Sequence, residues 1–417
     1  MSSRECEFNT RRMLLFSGVY GAACAIAMMG IFDAYIFIES NDSNTAVGWA
    51  ESVSGLSQIL VALPAGFLVD SFSRCNILNI CGLFSLIYCG FFIFAISQDS
   101  TDLIYSALIF GGILFAVQNT ATYSLYADSV PQGFRAKAMM EVAVVTQVSM
   151  AIGPILGALL FWVLGDSWDL KILHAVLYSG FALMIPGSLL LIGWKDVHAD
   201  PAVEASGGFE AQFIKRHSWS RLVPYMVCLN DVITCIGAGM TVKFLPLFFK
   251  NEYGFTPAQV QSLYAVYLVT FGFFTWLCER IASYIGRVQA ALLFSSIGVT
   301  CLFILARVTF LPLVVIVFVL RGALQNAIYP IDRSIIMDFV PSDQRGKWNA
   351  FESISSMTWS GSAVIGGYLM DEHDYRYAFQ ITAYIYSAAF CMRIPMMWLV
   401  PRKEQFVGKA FTESLIP

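Results

Sequence analysis

The sequence predicts an all-α membrane protein that crosses the bilayer many times, and three observations predict it. Of 417 residues, 57% are hydrophobic and 13% charged, with a mean hydropathy of +0.66, whereas a soluble chain carries about 25% charged residues. The apolar residues are gathered into twelve runs separated by short charged loops, and a spanning helix needs roughly 20 such residues. Hydrocarbon admits only helices or closed barrels, because every backbone polar group must be satisfied internally. The composition excludes disorder and ordinary soluble globularity. The net charge of -4 excludes nucleic-acid binding through a basic footprint.

The spans follow in order. Span 1, Met13–Ile38, comes after a charged segment that holds Glu5 and Glu7 and lacks an apolar core. It is therefore expected to serve as its own targeting signal, with no cleavable leader. Spans 2 to 6 are Val47–Val69, Asn76–Ser97, Leu103–Ala127, Ala138–Val163 and Ile172–Trp194. Next comes a long polar stretch, Lys195–Arg221, with His198-Ala-Asp-Pro201 and Ala205-Ser-Gly-Gly208 inside it. Spans 7 to 12 are Leu222–Phe249, Val260–Ile281, Val288–Ala306, Phe310–Ile335, Trp348–Met370 and Ala378–Val400. The expected organisation is an N-terminal segment (1–12), a six-helix bundle (13–194), a linker (195–221), a second six-helix bundle (222–400) and a tail (401–417).

Orientation follows from Lys and Arg. Only Lys171, Lys250, Arg307 and Arg376 fall in one set of loops, and Lys243, Arg321 and Arg393 lie within spans; the rest of the 25 fall on the other side. Both termini and the linker are thus expected to be cytoplasmic, in the plasma membrane or an organelle membrane. The ten cysteines lie in spans or on the inner side with no Cys-x-x-Cys pair, and read as small buried hydrophobes rather than disulfides or metal ligands. Asn41-Asp42-Ser43 is a glycosylation sequon on the predicted outer side.

An internal repeat is visible. Asp128-Ser-Val-Pro-Gln-Gly-Phe-Arg-Ala-Lys137 aligns without gaps on Asp338-Phe-Val-Pro-Ser-Asp-Gln-Arg-Gly-Lys347, each between the fourth and fifth spans of its half. The same offset lays Ile155-Leu-Gly157 on Ile365-Gly-Gly367. Two homologous six-helix halves account for this. Between spans 2 and 3 stands Gly66-Phe-Leu-Val-Asp70-Ser-Phe-Ser-Arg74. With these motifs the chain resembles the major facilitator superfamily over residues 13 to 400. Gly66, Asp70 and Arg74 match that family's loop signature, while Ser71 and Ser73 depart from it. A weaker copy, Ser283-Tyr-Ile-Gly286-Arg287, keeps only the Gly-Arg end.

Asp70 ends span 2 on the predicted inner face, where the N-terminus of span 11 would favour a carboxylate by about 0.3–1 kcal/mol. Asp70, Arg74, Asp128 and Arg135 are expected to form one inner charge cluster, and Arg287, Asp338 and Arg345 its counterpart. Glu141 and Glu352, at the inner ends of spans 5 and 11, read as their partners. Solvated loop ends that only set topology are the alternative. In span 5, Gly153-Pro154-Ile-Leu-Gly157-Ala158 resembles an element of the family's antiporters, although Ala158 departs from it; close helix packing accounts for the same residues.

Charges inside hydrocarbon cost at least about 2.5–3.5 kcal/mol and usually mark a cavity or a partner. The resemblance implies that spans 1, 4, 7 and 10 line a central cavity. Asp33 lies on span 1, Asp231 and Lys243 on span 7, Arg321 on span 10, and span 4 offers Gln118 and Asn119. At 1.5 Å per residue, Arg321 and Asp231 reach similar depth and are expected to pair or to serve as the substrate or proton site. Asp33 and Lys243 share a height near the outer ends, as an outer-gate pair; mutual neutralisation alone is the competing reading. Helical spacing puts Arg321, Gln325, Tyr329 and Asp332 on one face, with Asn326 and Arg333 beside it, as a polar stripe facing water or substrate. Arg393 reads as snorkelling inward, and the four histidines as neither relay nor metal ligand.

The function expected is secondary active transport of a small organic solute by alternating access, proton-coupled through Asp231 or Asp33, with a lean to antiport and efflux. A facilitative uniporter or a proton symporter for a polar metabolite is the alternative. A transport-inactive receptor or a membrane-embedded enzyme stands further off, since no catalytic constellation is visible. No cofactor or metal is expected. The expected partners are a small-molecule substrate, membrane lipid and protons, with no nucleic acid, and the chain is expected to be a monomer.

Overall fold

The computed structural model describes residues 3–130, 135–196, 222–340 and 345–401. Among the described residues every long regular element is helical, and no strand occurs. Span 1 consists of α1 (Ser3–Met28) and α2 (Ile31–Glu39); spans 2 to 6 are α3 (Asn44–Ser71), α4 (Arg74–Ser97), α5 (Thr101–Ser129), α6 (Arg135–Leu164) and α7 (Leu170–Leu189). Span 7 is α8 (Val223–Gly239) and α9 (Leu245–Tyr253), joined through a 3-10 turn at Val242–Phe244. Spans 8 and 9 are α10 (Pro257–Ile285) and α11 (Arg287–Leu305), and span 10 is α12 (Leu311–Asn326) with α13 (Tyr329–Phe339). Span 11 is α14 (Arg345–Glu372), and span 12 is α15 (Tyr375–Arg393) with the short α16 (Met396–Leu399).

Among the described residues ten helical segments are long and apolar enough to cross a membrane. They correspond to spans 1 to 10. The helices of spans 11 and 12 are 28 and 19 residues long but more polar, the first rich in Ser and the second carrying Arg376, Gln380 and Arg393.

Helices begin before the apolar runs where a polar side chain caps the exposed amides. Ser43 accepts from the Ala46 amide at the start of α3, and Asp169 from the Lys171 amide at the start of α7, each satisfying an otherwise orphaned donor. α1 likewise extends back to Ser3. There Asn9 donates to Ser129 Oγ (2.8 Å) and accepts from the Lys195 amide (3.0 Å), and Arg12 donates to the Leu190 and Ile192 carbonyls.

Besides span 12, which is interrupted at Ile394-Pro395, three spans read as continuous in the sequence are broken. Span 1 breaks at Met29-Gly30, where Gly30 has φ +75°, a left-handed conformation that Gly adopts without a Cβ penalty. The Met29 carbonyl accepts from the Ile31 amide at 2.9 Å and from Gln261 Nε2 of α10 at 3.3 Å. Span 7 breaks at Met240-Thr241 and span 10 at Ala327-Ile328.

The chain divides into two compact units. The first holds residues 1–206, 238–268 and 356–378; in it α3 packs on α5, α1 on α6 and α7, and α4 on α5 and α7. The second holds 207–237, 269–355 and 379–417. Its core gathers Val227, Cys278, Phe294, Leu324, Ile331 and Met396. The ten cysteines are all free thiols, six of them buried.

Candidate functional site

In the first unit, the break in span 1 sets Asp33 in the opening turn of α2, where the helix dipole favours a carboxylate. The break in span 7 sets Lys243 in a 3-10 turn. Lys243 Nζ stands 3.8 Å from Asp33 Oδ1 and 2.9 Å from Glu51 Oε2 of α3. Its ammonium also lies 5.6 Å from the centre of the Trp359 ring, within cation–π range. All three charged side chains are less than one-fifth exposed, so the ammonium gains little from water and depends on its two carboxylates. Glu51 and Trp359 were not among the residues singled out in the sequence. Glu51 is nonetheless a carboxylate inside span 2, and matching its depth to Lys243 would have found it.

A second set of contacts ties the same end of this unit, the outer end in the topology predicted above. Asp371, in the last turn of α14, accepts from the Asn44 amide and side chain (both 2.9 Å) and from the Thr45 amide (2.8 Å). It thereby caps the N-terminus of α3. Burial pushes the Asp371 carboxyl up, but the Thr45 and Asn44 hydrogen bonds outweigh this and hold it below the usual carboxylate range. Tyr375 donates to Asn44 Oδ1 and accepts from Asn251 of α9. Below this clasp the backbones touch: a Cβ on Gly48 would stand 2.5 Å from the Ala363 carbonyl oxygen. Ser52 donates to the Ser360 carbonyl at 2.6 Å.

In the second unit, Arg393 Nη2 lies 2.7 Å from Asp332 Oδ2 and 2.7 Å from Asn230 Oδ1, both bonds buried. Arg393 therefore does not snorkel: it is 6% exposed and committed to α13 and α8. Arg321 is 5% exposed, forms no ion pair among the described residues, and its buried Nε has no hydrogen-bond partner. The expected Arg321–Asp231 pair does not form; Asp231 is half-buried on α8, one turn from Cys228 and Cys235.

The polar stripe of span 10 is divided for a local reason. Gln325 packs against Gly298 of α11, and Arg321 lies near Cys301 of the same helix. The break at Ala327-Ile328 then re-phases the helix. Asp332 is left buried, while Asn326 and Tyr329 are exposed, and Arg333 donates to the Tyr329 hydroxyl. Arg321, Gln325 and Asp332 thus look into the helices of their own unit.

The other residues named from the sequence are placed as follows. Gln118 is buried with Oε1 unpaired, and Asn119 is exposed. Arg74 pairs with Asp128; Asp70 and Glu141 are exposed, and Gly66 meets no neighbour. Arg287 donates to Ser334 Oγ at 3.2 Å. The side chains of Arg135, Asp338, Arg345 and Glu352 lie outside the described residues. Gly153 faces α1, where a Cβ would stand 2.3 Å from Ala25 Cβ, beside Pro154; Gly157 faces Gln261. His174, at a span end, has Nε2 2.9 Å from Asp99 Oδ1, without hydrogen-bond alignment.

Charges buried among the spans of a polytopic helical chain point to the class of membrane transport proteins. The sequence model of the Major Facilitator Superfamily matches residues 13–234 and 227–415, and the chain belongs to that family. Multidrug resistance protein 1 of Bacillus subtilis (strain 168) is 22% identical over 260 residues, 61% of this chain. The chain spans 62% of the length of that relative. Among solved structures, a bacterial homologue of the human lysosomal transporter Spinster superposes with a TM-score of 0.72 at 13% identity, covering 96% of this chain and 98% of that one. A bacterial homologue of the iron transporter ferroportin gives 0.71 at 12% identity, covering 94% and 99%. The nucleoside transporter NupG gives 0.69 at 11%, covering 94% and 98%. At these identities the likeness is one of fold. The chain is thus a multi-pass integral membrane protein of this superfamily.

Proposed function

We propose that the chain is a proton-coupled secondary carrier that exports a small organic solute by alternating access, its residue 13–194 half rocking against its 222–400 half. The observation that carries this reading is Lys243, held between Asp33 and Glu51 at the end that Lys and Arg counting makes outer. One ammonium serves two carboxylates, so the cluster holds one negative charge more than it neutralises. A proton arriving on either carboxylate weakens the hold on Lys243 and frees spans 1, 2 and 7 to part. The coupling site is thereby assigned to Asp33 and Glu51 ahead of Asp231. The Asp371 clasp and the Gly48–Ala363 contact form the rest of the closed gate. Export is favoured by the Gly153-Pro154 element and by the multidrug resistance protein among the relatives.

The test is solute flux in proteoliposomes under an imposed pH gradient. Proton coupling requires flux that follows the gradient, with Asp33→Asn abolishing accumulation and sparing exchange. Flux indifferent to the gradient would make the protein a uniporter. Loss of accumulation in Asp231→Asn but not in Asp33→Asn would return the coupling site to span 7.

A further inference from the structure

We propose that Arg321 and Gln325 form an anion-binding subsite inside the second unit, and that the solute carried is an organic monocarboxylate. The substrate class rests on the carrier reading above; the subsite does not.

Three cations lie within the predicted spans, and their surroundings differ. Lys243 has two carboxylates and Arg393 has one. Arg321, equally buried, has none among the described residues, and its Nε lacks any hydrogen-bond partner. An arginine cannot escape by losing its proton. A cation in hydrocarbon without a counter-charge is a costly arrangement for a membrane protein. An anion beside Arg321 would supply the counter-charge that the described residues do not.

A second donor stands one helical turn away. Gln325 Nε2 is buried and has no partner either. Room for its side chain exists because residue 298 of α11 is glycine: a Cβ there would sit 2.7 Å from Nε2. A guanidinium and an amide on one helix face suit a carboxylate, which accepts from both with charge-assisted strength. The rest of that face and its flanks are apolar, with Val317, Phe318 and Leu324 packed against protein, so an organic anion with an apolar body suits the surroundings better than a polyhydroxylated one. A single free cation favours one negative charge over the two of a phosphate monoester. Arg393, the other cation buried in this unit, is already engaged by Asp332.

The test uses the full-length protein in detergent, with thermal unfolding followed by a thiol-reactive dye that reports exposure of the buried cysteines. Acetate, lactate and benzoate are titrated at constant ionic strength, with benzamide as the neutral isostere of benzoate. The expected result is a saturable rise in unfolding temperature with at least one carboxylate and none with benzamide. Arg321→Gln should weaken that binding by about 10- to 100-fold, the worth of one hydrogen bond to a charged group. Arg321→Lys should retain part of it, and Gln325→Leu should weaken it severalfold. A wild-type response flat to all three carboxylates would overturn the subsite. So would an Arg321→Gln protein that keeps the carboxylate-specific shift. If Arg321→Gln does not fold, Gln325→Leu and Arg321→Lys carry the comparison, and unchanged carboxylate binding in both overturns it. Flux of the bound carboxylate in proteoliposomes separates the two readings. Binding without flux refutes carriage and leaves the subsite; flux of other solutes by a protein that binds no carboxylate refutes the subsite alone.

Discussion

Asp332→Asn should destabilise the second unit by about 3–5 kcal/mol, the loss seen when one partner of a buried ion pair is removed. The closest approach to Arg393 is 2.7 Å, and both side chains are 7% exposed. At an effective dielectric of about 20, unit charges at that separation attract by about 6 kcal/mol. Desolvation of two ions offsets most of this, so the intact pair contributes little net stability. Removing the carboxylate alone is different. Arg393 would keep only Asn230, with Nη1 already lacking a partner, as an uncompensated charge among Cys278, Ile331 and Met396. The assay is unfolding followed by a thiol dye, because Cys278 is fully buried there. A loss of this size lowers the midpoint by roughly 6–20 °C for a unit of 150–250 residues. The apolar pair Asp332→Leu with Arg393→Met should be much less harmful than Asp332→Leu alone. An Asn variant within 1 kcal/mol (~1) of wild type, or a double variant no better than the single one, would refute the buried-pair reasoning.

Four further outcomes are expected. Lys243→Gln leaves Asp33 and Glu51 facing each other and should raise labelling of single cysteines placed on the predicted outer side; unchanged labelling would remove the gate. Reversing Asp33 and Lys243 together should restore closure only in part, because the new carboxylate would stand beside Glu51; adding Glu51→Gln should complete the rescue, measured by the same labelling. Gly48→Val should force spans 2 and 11 apart, with a loss of about 1–3 kcal/mol typical of overpacking, read as lower thermal stability and slower exchange. Asp371→Asn should weaken the clasp at neutral pH. The native Asp371 carboxyl is held below its ordinary value, so its contribution is complete above the unfolded pKa near ~3.9 and is lost only as pH falls through the lower folded value. Clasp closure in wild type should therefore be flat from about pH 5 to 8; a slope in that window would assign the clasp to another group.

The helical class and the span order were legible because hydrocarbon leaves a long apolar run few alternatives. Asp33 and Lys243 were legible as a matched pair because depth follows from residue count along a helix. That same count misled at span 10, where one uninterrupted helix would have kept Tyr329 and Asp332 beside Arg321. The Ala327-Ile328 break lies just before Pro330, which has no amide to give the Asn326 carbonyl and whose ring crowds it, so the re-phasing was marked in the sequence by a proline the face count passed over. Depth alone also paired Arg321 with Asp231, since counting along a span gives height but not azimuth. Arg393 illustrates the same gap: its partners Asp332 and Asn230 come from two other spans, and nothing local to span 12 announces them.

The Gln261 side chain on the Met29 carbonyl bears on how easily span 1 can change shape. A helix broken in hydrocarbon ordinarily strands a carbonyl, which makes the broken form costly. Here the Met29 carbonyl has two donors, the Ile31 amide and the Gln261 side chain, so the bend strands no acceptor at this position. The bend in span 1 is thus held in part from α10, so the placing of Asp33, one turn beyond it, depends on a helix distant in sequence.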